Sequence, residues 1–331
     1  MGDLILVTGG AGYVGSHLTR KLLARGYRVR VLDNFVYGNH GLDEVSDDPN
    51  LELVSGDIGA ERDLTRAVKG ARSVVALAAI VGDAACDLDP GRTMAINFES
   101  TRHTLAASRD AGVQRIVFAS SCSVYGANGS DFLREESHLN PVSLYARTRI
   151  MSEDILLNQS DVEVIILRLA TVCGVSPRMR FDLMVNTMTA CATAQGAIRV
   201  TGAKQWRPHV HVQDAAEAFR LAVEAPSTCE RVFNVGSDDQ NFTVGEIAEH
   251  VAQQVPGTQI EYAPNGHDLR SYRVAFDRIR SALGFECQRT VDHAINEVGQ
   301  LMSSGVVADF RNDQFHNAKW LSANGRLQGA A

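Results

Sequence analysis

The stretch Val7-Thr8-Gly9-Gly10-Ala11-Gly12-Tyr13-Val14-Gly15 decides how this chain folds. It follows the apolar run Leu4-Ile5-Leu6-Val7, which is typical of a buried parallel strand. Leucines at helical spacing come after it and predict a helix from about Tyr13 to Gly26. A buried strand, a glycine-rich turn and a helix together form the arrangement that holds a dinucleotide pyrophosphate at the helix N-terminus.

The three glycines of this turn have separate tasks. Gly9 permits a tight turn, Gly12 lets the backbone approach a pyrophosphate, and Gly15 lets the helix pack closely on the strand. The spacing is G-x-x-G-x-x-G and differs from the commoner G-x-G-x-x-G. A glycine triplet alone is a weak indication, because an ordinary turn gives the same pattern.

The second strand ends on an acidic residue. The run from Tyr27 to Asp33 alternates in polarity, and Asp33 follows the glycine turn at about the 20-residue distance where a carboxylate binds a ribose. A carboxylate at that point repels a 2′-phosphate. The sequence therefore predicts NAD(H) and not NADP(H) as the cofactor. The alternative is that Asp33 only caps the next turn.

Composition and charge fit an ordinary globular enzyme. The chain has 331 residues, of which 45% are hydrophobic and 21% charged, and its net charge is -7. An acidic chain gives no reason to expect a nucleic acid or an anionic membrane as partner. No apolar stretch reaches 18 residues and Met1 leads almost directly into the first strand, so we expect a cytoplasmic protein. Six scattered cysteines without metal-type spacing predict reduced thiols and no metal site.

Strands and helices alternate through the first half of the chain. This pattern predicts an α/β protein with a Rossmann-type, doubly wound parallel sheet and a smaller, interleaved C-terminal substrate-binding subdomain. We expect an NAD-binding domain over residues 1–170, a mainly substrate-binding part over 171–310 with some segments returning to the sheet, and a C-terminal tail over 311–331. Long helices are predicted at 92–111 and 143–158, and a polar loop at 128–140.

Ser121, at the end of a predicted strand, and Tyr145 followed by Arg149 have neighbours that form a known pattern. Around them lie Leu77-Ala78-Ala79, Ser120-Ser121, Val124-Tyr125-Gly126 and Phe233-Asn234-Val235-Gly236. With the glycine turn, these stretches resemble the extended short-chain dehydrogenase/reductases, in particular the nucleotide-sugar epimerases and dehydratases. The resemblance implies that Tyr145, assisted by Ser121, removes a hydroxyl proton while hydride passes to NAD.

Arg149 is a departure from that family, which has Tyr-x-x-x-Lys where this chain has Tyr145-Ala146-Arg147-Thr148-Arg149. Residues four apart share a helix face. A cation ~4 Å away stabilises a phenolate by roughly 4 kcal/mol in a surface-like dielectric, which would bring its pKa of about 10 towards neutral pH. Arginine supplies that charge but does not release a proton. We expect retained but slower chemistry, and the alternative is a protein without catalytic activity.

Two more departures restrict the reaction. Where the 4,6-dehydratases of the family carry an Asp-Glu pair, this chain has Cys122 and Ser123. The missing carboxylates favour plain hydride transfer over elimination of water or decarboxylation. Cys122 is a candidate acid/base residue, although a buried strand-end thiol is the simpler interpretation.

Arginines are the expected ligands of a sugar-nucleotide diphosphate, because a guanidinium pairs phosphate oxygens bidentately. The resemblance places Arg207 in this role, and we choose Arg273 over Arg270 as the second arginine. His209 and His211 alternate with valines and are interpreted as structural. The predicted cofactor residues are Gly9, Gly12, Tyr13, Val14, Asp33, Asn34, Asp57, Ile58, Leu77, Ala78, Ala79, Asn97, Tyr145 and Arg149. The predicted substrate residues are Ser121, Ser123, Tyr145, Arg180, Arg207 and Arg273.

The leading functional hypothesis is an NAD-dependent nucleotide-sugar epimerase that acts at C4 through a keto sugar. The alternatives are an NAD(P)H-dependent reductase or dehydrogenase of such sugars, and a non-catalytic NAD-binding protein. The resemblance also implies a homodimer built on the helices at 92–111 and 143–158. The apolar residues expected at that contact are Leu105, Ala106, Ile150, Ile155 and Leu156.

Overall fold

A seven-stranded parallel sheet forms the centre of the protein. The structure is a computed structural model that describes residues 2–227, 230–264 and 270–324, with the backbone alone at 129 and 130. Its strands are β1 (Leu4–Thr8), β2 (Arg28–Asp33), β3 (Leu51–Ser55), β4 (Ser73–Ala76), β5 (Arg115–Ser121), β6 (Ala127–Leu133), β7 (Glu163–Leu169), β8 (Thr171–Cys173), β9 (Ala197–Val200), β10 (Trp206–His211), β11 (Val232–Val235), β12 (Asn241–Thr243), β13 (Gln259–Tyr262) and β14 (Ser271–Val274).

Helices cover both faces of this sheet and recur through the second half of the chain. They are α1 (Gly15–Ala24), α2 (Glu61–Ala67), α3 (Asp83–Cys86), α4 (Pro90–Met94), α5 (Ser100–Asp110), α6 (Leu144–Leu157), α7 (Met184–Gln195), α8 (Val212–Glu224), α9 (Val244–Gln254), α10 (Asp277–Leu283), α11 (Val291–Ser303) and α12 (Asn317–Asn324). No helix in the described part of the chain is both long and apolar enough to cross a membrane.

The strand order of the central sheet is β11-β7-β5-β4-β1-β2-β3, and every neighbouring pair is parallel. β1 pairs with β2 on one side and with β4 on the other, so the order reverses there. At such a reversal the connections leave in opposite directions and a crevice opens at the carboxyl ends of the strands. The doubly wound α/β fold is confirmed, and its crevice lies beside the glycine turn.

Apolar layers lie on both faces of the sheet. The residues of β1 alternate between them: Ile5 and Val7 join the layer under α1 and α8, and Leu4 and Leu6 join the layer under α2, α5 and α6. A strand buried on both faces has to be apolar throughout. The run 4–7 therefore reflects its central place in the sheet.

The predicted polar loop at 128–140 is wrong in its first half. Residues 127–133 form β6, which pairs in parallel with β14 from much later in the chain. The sequence Ala-Asn-Gly-Ser-Asp-Phe-Leu has weak strand propensity. Its conformation is fixed by a partner that is distant in sequence.

The helix predicted at 92–111 is interrupted. Between α4 and α5 the chain makes a π-helical turn at Ala95–Glu99. Two residues assigned to the dimer contact are also misplaced, because Leu105 and Leu156 are 5% and 1% exposed within the apolar core of the subunit. Ala106 is exposed, and Ile150 and Ile155 are half-buried.

The end of the chain is more ordered than the sequence indicates. Within the predicted tail at 311–331, residues 313–315 form a 3₁₀ turn and α12 follows. Residues 325–331 lie outside the described part. The domain boundaries stay a prediction. β11 lies within residues 171–310 and pairs with β7 in the central sheet, as expected of a segment that returns to the sheet.

Candidate active site

The glycine turn has a backbone that other residues cannot adopt without strain. Gly9 has φ +72° and donates its N–H to the Leu32 carbonyl at 2.9 Å. A Cβ on Gly9 would lie 2.8 Å from the Ala78 nitrogen, and one on Gly15 would lie 2.1 Å from the Gly9 oxygen. Gly15 is therefore required by the turn itself, more directly than by packing of the helix on the strand. The turn brings the N-terminus of α1 to the crevice.

Asp33 ends β2 inside the same cleft. Its carboxylate accepts hydrogen bonds from the Phe35 nitrogen at 2.9 Å and the Ala11 nitrogen at 3.1 Å. Burial raises the pKa of this carboxyl group, and the two hydrogen bonds and the nearby Arg178 oppose that rise. Asp33 thus joins the glycine turn to the strand that leads to the predicted ribose position.

One cleft of about 1370 Å³ contains most of the predicted site. This volume exceeds the roughly 300–1,000 Å³ of pockets that hold one drug-sized ligand. Space for a dinucleotide and a second ligand, a free helix N-terminus and the Asp33 carboxylate all fit the predicted NAD. The predicted residues that line the cleft are Gly9, Gly12, Tyr13, Val14, Asp33, Asn34, Asp57, Ile58, Leu77, Ala78, Ala79, Ser121, Ser123, Tyr145, Arg149, Arg180 and Arg207.

Asn97 is not among them. Its side-chain amide donates to the Ile80 carbonyl at 2.9 Å and accepts from the Ile80 nitrogen at 2.8 Å. Both ends of the amide are thus used by the backbone that follows β4. The cofactor contact predicted for Asn97 stays a prediction, and what the structure shows is that its side chain holds the backbone of Ile80 in the cleft lining.

Tyr145 lies in the first turn of α6, which Ser143 caps by accepting a hydrogen bond from the Ala146 nitrogen at 3.3 Å. Ser121 lies at the end of β5 and lines the cleft together with Tyr145. The Ser121 hydroxyl accepts a hydrogen bond from the Ser123 nitrogen at 3.1 Å, which uses an acceptor position and not its O–H. The fold therefore brings a hydroxyl and a phenol to one wall of the cleft.

Arg149 is one helical turn after Tyr145, and its guanidinium carbon lies 5.4 Å from the centre of the Tyr145 ring. The guanidinium donates to the Asn97 carbonyl at 2.9 Å and to the Ala119 carbonyl at 3.3 Å. The first of these carbonyls belongs to the π-helical turn and the second to β5. Arg149 therefore supplies charge near the phenol and also ties α6 to two neighbouring elements.

The balance of effects on Tyr145 differs from the expectation. Burial in the cleft raises the pKa of the phenol above its ordinary value, and Arg149 lowers it by less. The expected pKa near neutral is therefore wrong for the protein alone. The sequence shows the cation but does not show how much water the fold removes.

Cys122 does not take part in the cleft. Its side chain is 1% exposed in the core, its thiol donates to the Arg168 carbonyl at 3.3 Å, and burial raises the pKa of the thiol far above its usual range. A thiol in that position neither reaches a ligand nor ionises. Its assignment as a catalytic residue is wrong.

Ser123, by contrast, lines the cleft and is 5% exposed. Within the described structure its hydroxyl has no hydrogen-bond partner. A buried hydroxyl is costly to leave unpaired. This one is available to a ligand in the cleft.

The two late arginines lie in different places relative to the cleft. Arg270 lines the cleft, and its guanidinium pairs with Asp83 of α3 at 2.8 Å. Arg273 lies outside the lining, stacked 4.1 Å from the Phe132 ring and 4.5 Å from the Trp206 ring. Arg270 precedes β14 and Arg273 lies within it, so the two side chains have different surroundings.

Arg207 and Arg180 are both buried in the cleft wall. The Arg207 guanidinium donates to the Arg270 carbonyl at 2.5 Å, and Arg180 forms a two-bond pair with Asp182 at 2.9 and 3.0 Å. In the same half, His211 is paired with Glu297 at 2.7 Å. That contact agrees with the structural interpretation of His211.

Sequence reasoning missed a buried ion pair behind the catalytic wall. Arg168 of β7 donates to both carboxylate oxygens of Glu153 on α6, the shortest contact being 2.6 Å, and Ser120 donates to the same carboxylate. Glu153 follows Arg149 at helical spacing, which is the one indication that the sequence offers. The pair fixes α6 against β5 and β7 and thereby fixes Tyr145.

Sequence comparison places this geometry among known proteins. The model of the NAD dependent epimerase/dehydratase family matches residues 5–236. A probable UDP-arabinose 4-epimerase from Oryza sativa subsp. japonica is 32% identical over 187 residues, which are 53% of this chain and 46% of the rice protein. The chain thus spans a little under half of that relative. The UDP-N-acetyl-alpha-D-glucosaminuronate decarboxylase of Bacillus cytotoxicus is 28% identical over 75% of this chain and 79% of its own.

The comparison with solved structures agrees with the sequence comparison. The structure of MoeE5 in complex with UDP-glucuronic acid and NAD superimposes with a TM-score of 0.79 at 26% identity and covers 92% of this chain and 100% of its own. Relatives of this chain thus include both epimerases and decarboxylases that act on nucleotide sugars.

Proposed function

Because the chain belongs to the NAD dependent epimerase/dehydratase family, we propose that it is an NAD-dependent nucleotide-sugar epimerase that acts at C4. The observation that supports this most is the cleft itself, which is lined by Tyr145 and Ser121 together with the glycine turn and Asp33. The residues at 122 and 123, next to Ser121, are not carboxylates. That composition favours hydride transfer over elimination or decarboxylation.

The chemistry divides between the cofactor and the chain. NAD, when bound, accepts a hydride from the sugar carbon and later returns it. The Tyr145 phenolate takes the proton from the hydroxyl on that carbon, and Ser121 bonds the same oxygen. Arg149 stabilises the phenolate by its charge. In the second half of the reaction the Tyr145 phenol would give the proton back to the keto oxygen. The product is the C4 epimer because the hydride would return to the opposite face of the sugar.

We assign the diphosphate of the substrate to Arg207 and Arg270. Both side chains line the cleft. The Arg207 guanidinium donates a hydrogen bond to the backbone carbonyl of Arg270, so the two residues are in contact. The Arg270 guanidinium also forms an ion pair with the Asp83 carboxylate. Ser123, whose hydroxyl is buried without a partner among the described residues, is the group assigned to a sugar hydroxyl.

The test is a panel of UDP-, dTDP-, GDP- and CDP-hexoses incubated with the purified protein, with products read by NMR. Formation of a C4 epimer without net change in nicotinamide absorbance supports the proposal. A stoichiometric absorbance change would indicate a reductase or dehydrogenase instead. Tight NAD binding without turnover of any sugar nucleotide would indicate a non-catalytic NAD-binding protein.

Asp33 gives a prediction about cofactor choice. Asp33→Asn keeps an oxygen for the Ala11 nitrogen but removes the charge. We expect the preference for NAD over NADP to fall about ten- to hundredfold, because a carboxylate close to a phosphate dianion is repelled by more than 1.4 kcal/mol, the equivalent of about a factor of ten. The measurement is the ratio of the two Kd values by titration calorimetry.

The matched control is Asp48→Asn, since Asp48 does not line the cleft but its carboxylate likewise accepts a backbone hydrogen bond, from the Asn50 nitrogen at 2.8 Å. Its NAD to NADP ratio should equal that of the unaltered protein. Equal affinity of the unaltered protein for both cofactors would show that Asp33 does not discriminate between them.

We also predict a homodimer through α5 and α6. With Leu105 and Leu156 buried in the core, the contact has to use the exposed Ala106 and the accessible parts of the half-buried Ile150 and Ile155. Light scattering at micromolar concentration should give twice the mass of one chain, and Ile155→Asp should shift it towards one. A monomer mass for the unaltered protein would remove the prediction.

A further inference from the structure

The segment Phe310–Asn324 makes specific contacts with the rest of the protein near its start and near its end. Near its start, the Phe310 and Phe315 rings pack edge-on against the buried Phe181 ring at centroid distances of 5.8 and 5.3 Å. The Phe181 nitrogen donates to the Phe315 carbonyl at 3.0 Å. The segment is thus anchored to the loop that precedes α7, in the second half of the chain.

Its middle residue, Asn317, connects that loop to the first half. The Asn317 side chain is 5% exposed, accepts from Arg178 at 2.7 Å and donates to the Val81 carbonyl at 3.3 Å. Its backbone nitrogen donates to Asp182 at 3.0 Å. Asn317 therefore connects the loop that follows β4 with the loop that contains Arg178.

A further contact lies beyond Asn317. The Trp320 indole nitrogen donates to the Val36 carbonyl at 2.5 Å. Val36 follows Asp33 by three residues and lines the same cleft. The segment therefore crosses from the second half of the chain to the predicted ribose end of the cleft.

Residues of the segment form part of the cleft wall. His316, Asn317, Ala318, Lys319 and Leu321 line it together with Asp33, Asn34 and Tyr37. Beside them the Arg178 guanidinium stacks 4.1 Å from the Tyr37 ring, and burial lowers the pKa of Arg178 to about 10, so it stays a cation at neutral pH. All of these residues line the same cleft as the glycine turn.

We propose that Phe310–Asn324 completes the cofactor site as a clasp, and that NAD leaves only after the Asn317 and Trp320 contacts open. The proposal rests on the proposed use of NAD. Asn317 is a positioning residue, because it holds the Arg178 cation at the adenosine end of the cleft. An epimerase that regenerates its NAD in each turnover has no need to release it, and a clasp of this kind would retain it.

The test measures the dissociation of NAD and not turnover. The protein loaded with NAD is mixed with excess 1,N6-etheno-NAD, and the rise in bound etheno fluorescence gives the rate of NAD release. Trp320→Phe keeps an aromatic ring, although a smaller one, and loses one hydrogen bond, so NAD release should become roughly fivefold faster. Asn317→Ala loses two side-chain hydrogen bonds and should release NAD roughly 20-fold faster.

Arg311→Ala is the control, because Arg311 lies in the same segment, is 65% exposed and pairs with Asp309. It should release NAD at the rate of the unaltered protein. If Asn317→Ala does not fold, Trp320→Phe still decides the question. Unchanged release from a folded Trp320→Phe protein would overturn the clasp alone, whereas a protein that binds no NAD at all would overturn the proposed function as well.

Discussion

Tyr145→Phe is expected to lower kcat on a sugar-nucleotide substrate by about 10²–10⁴-fold, the usual contribution of a positioned general base, while NAD stays bound. The phenyl ring still fills the space in the first turn of α6, and only the hydroxyl is lost. The measurements are turnover by NMR and the ratio of NAD absorbance to protein absorbance after gel filtration.

Tyr262→Phe provides the matched control, since Tyr262 is 58% exposed and is not among the residues that line the cleft. It should leave kcat and NAD content unchanged. Full activity of Tyr145→Phe would show that another group removes the proton. Loss of bound NAD together with activity would show that the ring no longer packs in the same way.

Arg149→Ala is expected to lower kcat about 100-fold at neutral pH and to move the acid limb of the pH profile upwards. A unit charge at 5.4 Å from the ring is worth about 3 kcal/mol at an effective dielectric of ~20. Burial already raises the pKa of Tyr145, and without Arg149 that pKa rises further. Because only the phenolate acts as base, the rate falls at every pH below the new pKa.

The Arg149→Lys variant separates charge from geometry. A lysine keeps the charge, so the acid limb should return towards that of the unaltered protein. It also resembles the family pattern, and a rate above that of the unaltered protein would mean that arginine only replaces an ammonium group. A rate well below it, with the pH limb restored, would mean that the hydrogen bonds to the Asn97 and Ala119 carbonyls are required. An unshifted acid limb in Arg149→Ala would remove the electrostatic role altogether.

The sequence determined those features that depend on local spacing. The apolar run before the glycines, the strand that ends on Asp33 and the four-residue interval from Tyr145 to Arg149 are short-range patterns, and each is found in the structure at the expected place. Parallel strands end at one edge of their sheet, so strand-end residues such as Ser121 and Asp33 come together once the fold class is known.

Tertiary structure decided which polar side chains face the cleft. Arg270 and Arg273 are three residues apart, and only the first lines the cleft, whereas the second packs against the Phe132 and Trp206 rings. Cys122 is next to Ser121 but points into the core, and the Asn97 side chain bonds the backbone of Ile80. No local pattern distinguishes these cases, because the orientation of each side chain follows from a partner elsewhere in the chain.

The pKa of Tyr145 and the position of the C-terminal segment differ from the expectation for the same physical reason. The pKa of Tyr145 depends on how much water the surrounding elements exclude, and the C-terminal segment takes its place through contacts such as Asn317 with Arg178, 139 residues earlier in the chain. Desolvation and long-range hydrogen bonds are properties of the assembled chain. Sequence spacing therefore determined the glycine turn and the interval from Tyr145 to Arg149, and the packing of distant segments determined their environment and the remaining lining of the cleft.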